Sequence, residues 1–345
     1  MTNNLRMPAE WEPHSATWLA WPHYKNDWPG KFEPIPWVYA EIIRHLSRHE
    51  RVELIVNDAA SEKTARKTLK LANALNKNVR FHRWPTDRVW TRDSGCTFVK
   101  SPTALSAVKW RFNAWAKYSN WRRDEKIGSL IAKFAKAKEI HPEFGDRRVV
   151  LEGGSIDVNG CGTLLTTEEC LLSKVQQRNS TMKRADYEKL FADCLGIRKV
   201  IWLGSGVAGD DTHGHVDDIT RFISPDTVVT AVESAPSDDN YEPLRENIRR
   251  LREAADQDGK PLSIIELPMP SPVIFDGRRL PASYANFYIA NGIVLVPVFN
   301  DANDRVALDI LADLFPDREI VGIYSGDLIW GFGAMHCMTQ QQPTI

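Results

Sequence analysis

Apolar, strand-like runs alternate with amphipathic helical patterns along the whole chain, and compact polar or glycine-rich clusters recur among them at roughly regular intervals. Strand-like runs fall at residues 52–56, 149–151, 163–167, 200–203, 227–232, 264–267, 287–298 and 320–323. Helical patterns lie between them at 38–48, 61–75, 127–137, 180–195, 241–255 and 303–315. In the last of these, Val306, Ile310 and Leu311 share a face at helical spacing, and Pro316-Asp317 stops it. This alternation predicts an α/β fold. The clusters are Arg92-Asp93-Ser94-Gly95, Glu152-Gly153-Gly154, Gly214-His215, Pro281-Ala282-Ser283-Tyr284 and Gly333 to Cys337. Their residues are not self-similar. Their spacing predicts a weak repeat at the level of structure, with loops that converge on one central site.

Size and charge narrow the partners. With 345 residues, 43% of them hydrophobic, the chain can bury a large core. A prior of ~150 residues per domain gives two domains, although closed α/β architectures run longer as one unit. The formal net charge of -1 provides no global field to hold nucleic acid or an anionic membrane. Residues 1–14 contain no apolar core of a signal peptide. No run reaches the ~20 apolar residues of a membrane helix. The most apolar stretch, 287–299, is broken by Asn291, Gly292 and Pro297. Cys96, Cys161, Cys170, Cys194 and Cys337 are odd in number and lack C-x-x-C spacing, which argues against a disulfide framework or a cysteine zinc site. The expectation is a cytoplasmic protein.

Cys337 stands apart from the other thiols. Its approach, Gly331-Phe332-Gly333-Ala334-Met335-His336, is glycine-lined, and Thr339-Gln340-Gln341-Gln342 follows it. An arbitrary lone cysteine is a buried structural thiol, and that reading suits the other four. A nucleophilic thiol has to ionise, so it needs a base or positive charge nearby. No Lys or Arg lies close in sequence, so a cationic substrate could itself provide the charge. Three upstream clusters could serve such a thiol: Trp90-Thr91-Arg92-Asp93, Leu151-Glu152-Gly153-Gly154 and Asp210-Asp211-Thr212-His213-Gly214-His215-Val216-Asp217-Asp218. The last supports three readings. Strand alternation would put His213, His215 and Asp217 on one face as a binuclear metal cluster. His215 could instead be an acid/base beside a substrate-binding carboxylate, or the segment could be a solvated strand end. Arg92-Asp93 reads most simply as an ion pair, although the aromatic before it and the turn after it suit a carboxylate at a pocket floor; Glu152 is either a plain strand-end carboxylate or a group that orients a histidine. The aromatic-basic segment Lys109 to Arg123 could stack nucleotides, but a loop over a site or core packing fits the charge balance better.

Taken together these segments resemble the agmatine deiminases, of the bacterial peptidyl-arginine-deiminase-like group in the guanidino-modifying (pentein) superfamily. The resemblance runs from Met7-Pro8-Ala9-Glu10-Trp11-Glu12-Pro13-His14, through Trp90 to Gly95, Phe112-Asn113-Ala114-Trp115, Leu151 to Ile156, Thr167 to Leu172, Gly214-His215-Val216-Asp217 and Ala282 to Tyr288, to His336 through Pro343. It implies an α/β fold, specifically a five-bladed α/β propeller with pseudo-five-fold symmetry, built as one catalytic domain over residues 1–345. It implies hydrolysis of a small cationic guanidine, with Cys337 as nucleophile and His215 as general acid/base. Asp93 and Asp217 would grip the guanidinium, Glu152 would orient His215, Trp90 would line the pocket, and Asp211 joins the substrate-binding set. No metal or organic cofactor and no nucleic acid or membrane partner is implied; a homodimer is the family default.

The chain also departs from the family pattern. Phe332 and Ala334 interrupt a glycine-rich approach, His213 replaces Asn or Asp, and Lys117-Tyr118 replaces small residues. These differences bear on the far end of the pocket. Rival readings are deimination of arginine or peptidyl-arginine, amidino transfer, a metal-dependent hydrolase using His213, His215 and Asp217, and a non-catalytic binding protein.

Overall fold

One supersecondary unit recurs along the chain. A short strand runs antiparallel to a central strand, and a helix then carries the chain to a third strand parallel to the central one. The computed structural model describes residues 5–345; the reading of residues 1–14 therefore extends into positions 1–4, which lie outside the described residues. In chain order, one unit comprises Thr97–Lys100, Leu105–Val108, helix Ile127–Phe134 and Lys138–Ile140. Another comprises Asp157–Val158, Thr163–Thr167, helix Arg184–Leu195 and Lys199–Leu203. Next come Thr220–Phe222, Thr227–Val232, helix Tyr241–Glu253 and Ser263–Pro268. Tyr288–Ala290, Ile293–Val298, helix Asn303–Leu314 and Glu319–Tyr324 follow. The remaining unit joins the two ends of the chain. Gln340–Pro343 pairs antiparallel with His14–Ala20, helix Ile35–His49 leads to Val52–Val56, and Val79–Arg83 is added outside.

Local sequence explains the elements. Val52–Val56 and Thr163–Thr167 are buried along their whole length because helices or neighbouring units cover both faces, so they read as continuous β-rich runs. Asp58 caps helix Ala59–Leu71 by accepting from the Ser61 amide at 2.7 Å. Gly196, in the left-handed region at φ 72°, ends helix Arg184–Leu195. Trp18, Trp28, Tyr39, Ile42 and Leu54 are fully buried in the largest core, each contributing about 1.5–3 kcal/mol of apolar transfer for a side chain of their kind.

Three expectations need correction. Residues 149–151 form no strand; Val150 makes only an isolated bridge with Arg111. The run 287–298 is a hairpin, turned at Gly292 with φ 68°. In helix Asn303–Leu314 the buried positions are Ala307 and Leu311, and Val306 is exposed. Periodicity alone could not choose between two apolar faces one residue apart.

The polar clusters predicted to recur have a common place. Immediately before the antiparallel strand of each unit the chain makes a single helical turn: Thr91–Ser94, Gly153–Ser155, Val216–Asp218, Tyr284–Asn286 and Met335–Met338. Each turn touches the next, and the last touches the first. The clusters therefore meet in the middle.

Candidate active site

Those five turns supply the candidate site. Cys337, in Met335–Met338, is 4% exposed. Its Sγ accepts a hydrogen bond from Asn286 Nδ2 at 3.1 Å and faces Asp217 Oδ2 at 3.5 Å. Glycine is required on its approach. A Cβ on Gly331 would meet the Trp28 ring at 2.7 Å, and one on Gly333 would meet the Trp90 ring at 2.6 Å. Phe332 between them takes the left-handed region at φ 66°, its ring tilted by 37° beside that of Trp330.

His215 is fully buried and surrounded by carboxylates. Its Nδ1 lies 4.0 Å from both Asp93 Oδ1 and Asp217 Oδ1, and its Nε2 lies 3.6 Å from Glu152 Oε2. Neither ring nitrogen has a hydrogen-bond partner at these distances. A Cβ on Gly154 would meet His215 Nδ1 at 2.5 Å, Asp217 Oδ2 at 3.0 Å and Asp93 Oδ1 at 3.1 Å. The glycine after Glu152-Gly153 thus makes room for the imidazole and both carboxylates. Glu152 is itself tied to buried Arg178, whose Nε lies 3.2 Å from Oε1. Asp93 is held by the Gly154 amide at 3.0 Å and by Trp115 Nε1 at 2.9 Å.

The charges have defined directions. Burial, then the negative charges of Asp217, Asp218 and Asp93, hold the Cys337 thiol well above its ordinary value. Burial pushes Asp93 up to about 6, partly offset by His215. Burial alone would lower His215, but Asp93, Cys170 and Glu152 reverse that, so it lies well above the usual imidazole range. Burial would raise Glu152, and the Arg178 guanidinium overcomes it and holds the carboxyl down. Asp217 likewise lies low despite burial, through its bond to His336. The buried thiol thus faces three aspartates. A bound cation would relieve this and favour the thiolate.

A cavity of about 230 Å³ opens over the thiol. Cys337, Asp93, Trp90, Trp115, Phe332 and Asp211 line it. His215, Asp217 and Glu152 are buried just behind that wall, His215 against Asp93, Asp217 against Cys337 and Glu152 against His215. All the predicted site residues therefore belong to one locality. The segment Lys109 to Arg123 combines core packing and a loop over the site: Trp110 and Phe112 are buried in the core, and Trp115 and Tyr118 stand in the cavity wall.

Two readings fail. The segment around His213 is not a strand: His213 and Gly214 are left-handed at φ 65° and 92°, and a short helical turn follows. His213 turns away to Ser173 Oγ at 3.1 Å and Glu169 at 3.5 Å. The proposed His213, His215 and Asp217 metal cluster does not form. Among the described residues, the groups close enough to hold an ion are Glu152, Cys170 and His215, and Asp217, Asp218 and Cys337. Arg178 already neutralises the first set, and His336 and Asn286 bond to the second. Arg92 does not pair with Asp93. It bonds Glu10 at 3.1 Å and Gln341 at 2.6 Å.

Sequence reasoning missed the support behind the thiol. His336 Nδ1 bonds Asp217 Oδ2 at 2.6 Å, and its Nε2 bonds Glu10 Oε2 at 2.8 Å. Glu10 also accepts from Arg221 at 2.8 Å. Asn286 Oδ1 accepts from the His336 amide at 3.1 Å, while Nδ2 reaches Asp218 and Cys337. Glu10 and Asn286 are remote in sequence from the groups they hold. The only local signal was their position in Met7 to His14 and Ala282 to Tyr288.

A five-times-repeated α/β frame around a buried thiol and paired carboxylates defines the pentein class of guanidino-modifying folds. Comparison makes the assignment specific. Residues 6–343 match the Porphyromonas-type peptidyl-arginine deiminase family, and the chain belongs to it. It is 35% identical to agmatine deiminase from Pseudomonas fluorescens (strain SBW25), over 99% of this chain and 96% of the relative. Its structure resembles that of the Enterococcus faecalis agmatine deiminase with a TM-score of 0.91 at 30% identity, covering 99% and 96% of the two chains. A C. jejuni agmatine deiminase solved with substrate bound gives 0.87 at 30% identity, again covering 99% and 96%.

Proposed function

We propose that this chain hydrolyses agmatine to N-carbamoylputrescine and ammonia. The observation that carries the reading is Cys337 beside Asp217 and across the cavity wall from Asp93, with His215 and Glu152 next to that pair. A guanidinium is planar and cationic. Asp93 and Asp217 grip its N–H groups by charge-assisted bonds, worth roughly 1.5–3 kcal/mol each. The bound cation draws Cys337 to its thiolate. Sulfur adds to the guanidinium carbon, the C–N bond breaks, and ammonia leaves with a proton from His215. A covalent amidino-cysteine remains. His215 then takes a proton from water, which adds to the same carbon. The C–S bond breaks, releasing the urea product and the thiol. Glu152, fixed by Arg178, orients His215, and Trp90 walls the pocket.

The five units and the contacts between their single turns support a five-bladed α/β propeller, built as one catalytic domain over the chain. Its five unpaired cysteines favour a reducing, cytoplasmic setting. Among the described residues, no helix is long and apolar enough to cross a membrane.

The test is ammonia release from agmatine, arginine and a blocked arginine peptide, each with the wild-type chain and with Cys337→Ala and His215→Ala. Selective turnover of agmatine, lost in both variants while their unfolding transitions persist, is expected. Turnover surviving in Cys337→Ala would sink the mechanism.

A further inference from the structure

The far wall of the cavity carries charges that the chemistry at Cys337 does not use. Two carboxylates stand there, Asp211 and Asp27, and each already has a cation. Lys117 Nζ bonds Asp211 Oδ1, and the Tyr118 hydroxyl donates to Oδ2. Arg88 bonds Asp27 Oδ1. A third cation, Arg278, sits in the same wall. Formally the far end holds three positive and two negative side chains, the reverse of the carboxylate-rich reacting end. Both Asp211 oxygens are taken, and only Asp27 Oδ2, buried beside Arg88, lacks a partner; an ammonium that reaches Asp211 therefore has to compete for it, whereas a guanidine with an uncharged tail meets no such competition.

The two resident cations differ in how readily they can leave. Arg88 is 9% exposed; its guanidinium also reaches Asn120 at 3.3 Å and lies over the Tyr118 ring at 3.9 Å. Such a planar, multiply bonded group is held in place. The Lys117 side chain is 39% exposed and reaches Asp211 by one flexible point contact. It stands at the end of the 114–116 turn, so its ammonium can swing into solvent without disturbing the buried residues.

We infer that Lys117 is a built-in competitor for the distal ammonium of the substrate: it occupies Asp211 until agmatine displaces it, and so sets how strongly this site prefers a cationic tail. The inference rests on the deiminase reading above. Lys117 does not touch the reacting atoms. It is a specificity residue acting through Asp211.

The test compares agmatine with butylguanidine, which has the same four-carbon reach and no amine. In Lys117→Met the ratio of kcat/KM for agmatine to that for butylguanidine rises about tenfold, the size of one charge-assisted bond, and the change lies in KM. In Lys117→Arg, which keeps the charge, the ratio stays at or below the wild-type value. A ratio in Lys117→Met within twofold of wild type, or lower, overturns the inference. So does a rise of equal size in Lys117→Arg. The same ratio is read as Kd by calorimetry in the Cys337→Ala background, where turnover is not needed; absence of binding by both compounds there also overturns it. Failure of the wild-type chain to release ammonia from either compound counts against the deiminase reading, while the binding ratio still decides this one.

Discussion

At the scale of single residues, the site is governed by space and by burial of charge. Gly154 has no side chain because the place of its Cβ is taken by His215, Asp93 and Asp217. Gly154→Ala should push the imidazole out of line and lower kcat at least 100-fold, since misplacement of about 1 Å carries that penalty. Circular dichroism and a steady-state assay check that the fold remains while turnover goes. Asp93 makes a second prediction. Its folded value of about 6 lies above the ordinary ~3.9 of a carboxyl. The folded state therefore holds a proton that the unfolded state has lost between about pH 4 and 6, so stability falls as pH rises through that window. Urea unfolding at pH 4.5 and 7 should show this loss in wild type and a smaller one in Asp93→Asn. Equal losses would remove Asp93 as the cause. Gripping a guanidinium needs the ionised form, so agmatine binding to Cys337→Ala near pH 6 should release a proton, seen as a buffer-dependent heat.

At the scale of elements, the turn 114–116 is the most strained piece of the site. Ala114, Trp115 and Ala116 are successive non-glycine residues in the left-handed region, at φ 52°, 57° and 53°. Each pays about 1–2 kcal/mol for that conformation. The turn places Trp115 on Asp93 and sends Lys117 and Tyr118 to Asp211. Gln176 clamps it, donating to Trp115 O at 3.2 Å and to Asp211 O at 3.0 Å. Ala116 is exposed, so Ala116→Gly should stabilise the protein by about 0.5–1 kcal/mol, the relief of strain less the extra freedom of glycine when unfolded. A lower midpoint in denaturant would show that the Ala116 side chain contributes contacts of its own. In Phe112-Asn113-Ala114-Trp115 the local signal of a turn is Asn113, whose Oδ1 accepts from the Ala116 amide at 2.9 Å; the rest of the hold comes from Gln176 and Asp211, remote in sequence.

Across the whole molecule, the ends of the chain close the same sheet. Gln340–Pro343 pairs with His14–Ala20, Gln341 binds Arg92, and Gln342 binds Trp18. Cys337 lies one turn before that strand. Removing residues 339–345 should therefore cost activity and stability together. The truncated chain is expected to show a lower Tm and no ammonia release, and a truncation with wild-type Tm would mean that the closing strand is dispensable.

The alternation of runs was enough to establish α/β units, because burial on both faces writes strands such as Val52–Val56 and Thr163–Thr167 as continuous apolar segments. Side-chain chemistry and glycine spacing set Cys337 apart and marked the clusters that hold His215, Asp93, Asp217 and Glu152, but it took the resemblance to the agmatine deiminases to choose among the readings of those clusters. Sequence could not say that His213 turns away from His215, because a left-handed residue reverses the expected alternation and is set by Glu169 and Ser173. Nor could it pair Lys117 with Asp211, His336 with Glu10, or Arg178 with Glu152. Those contacts join residues 26 to 326 positions apart, and only the packing of the five units brings their charges within reach of one another.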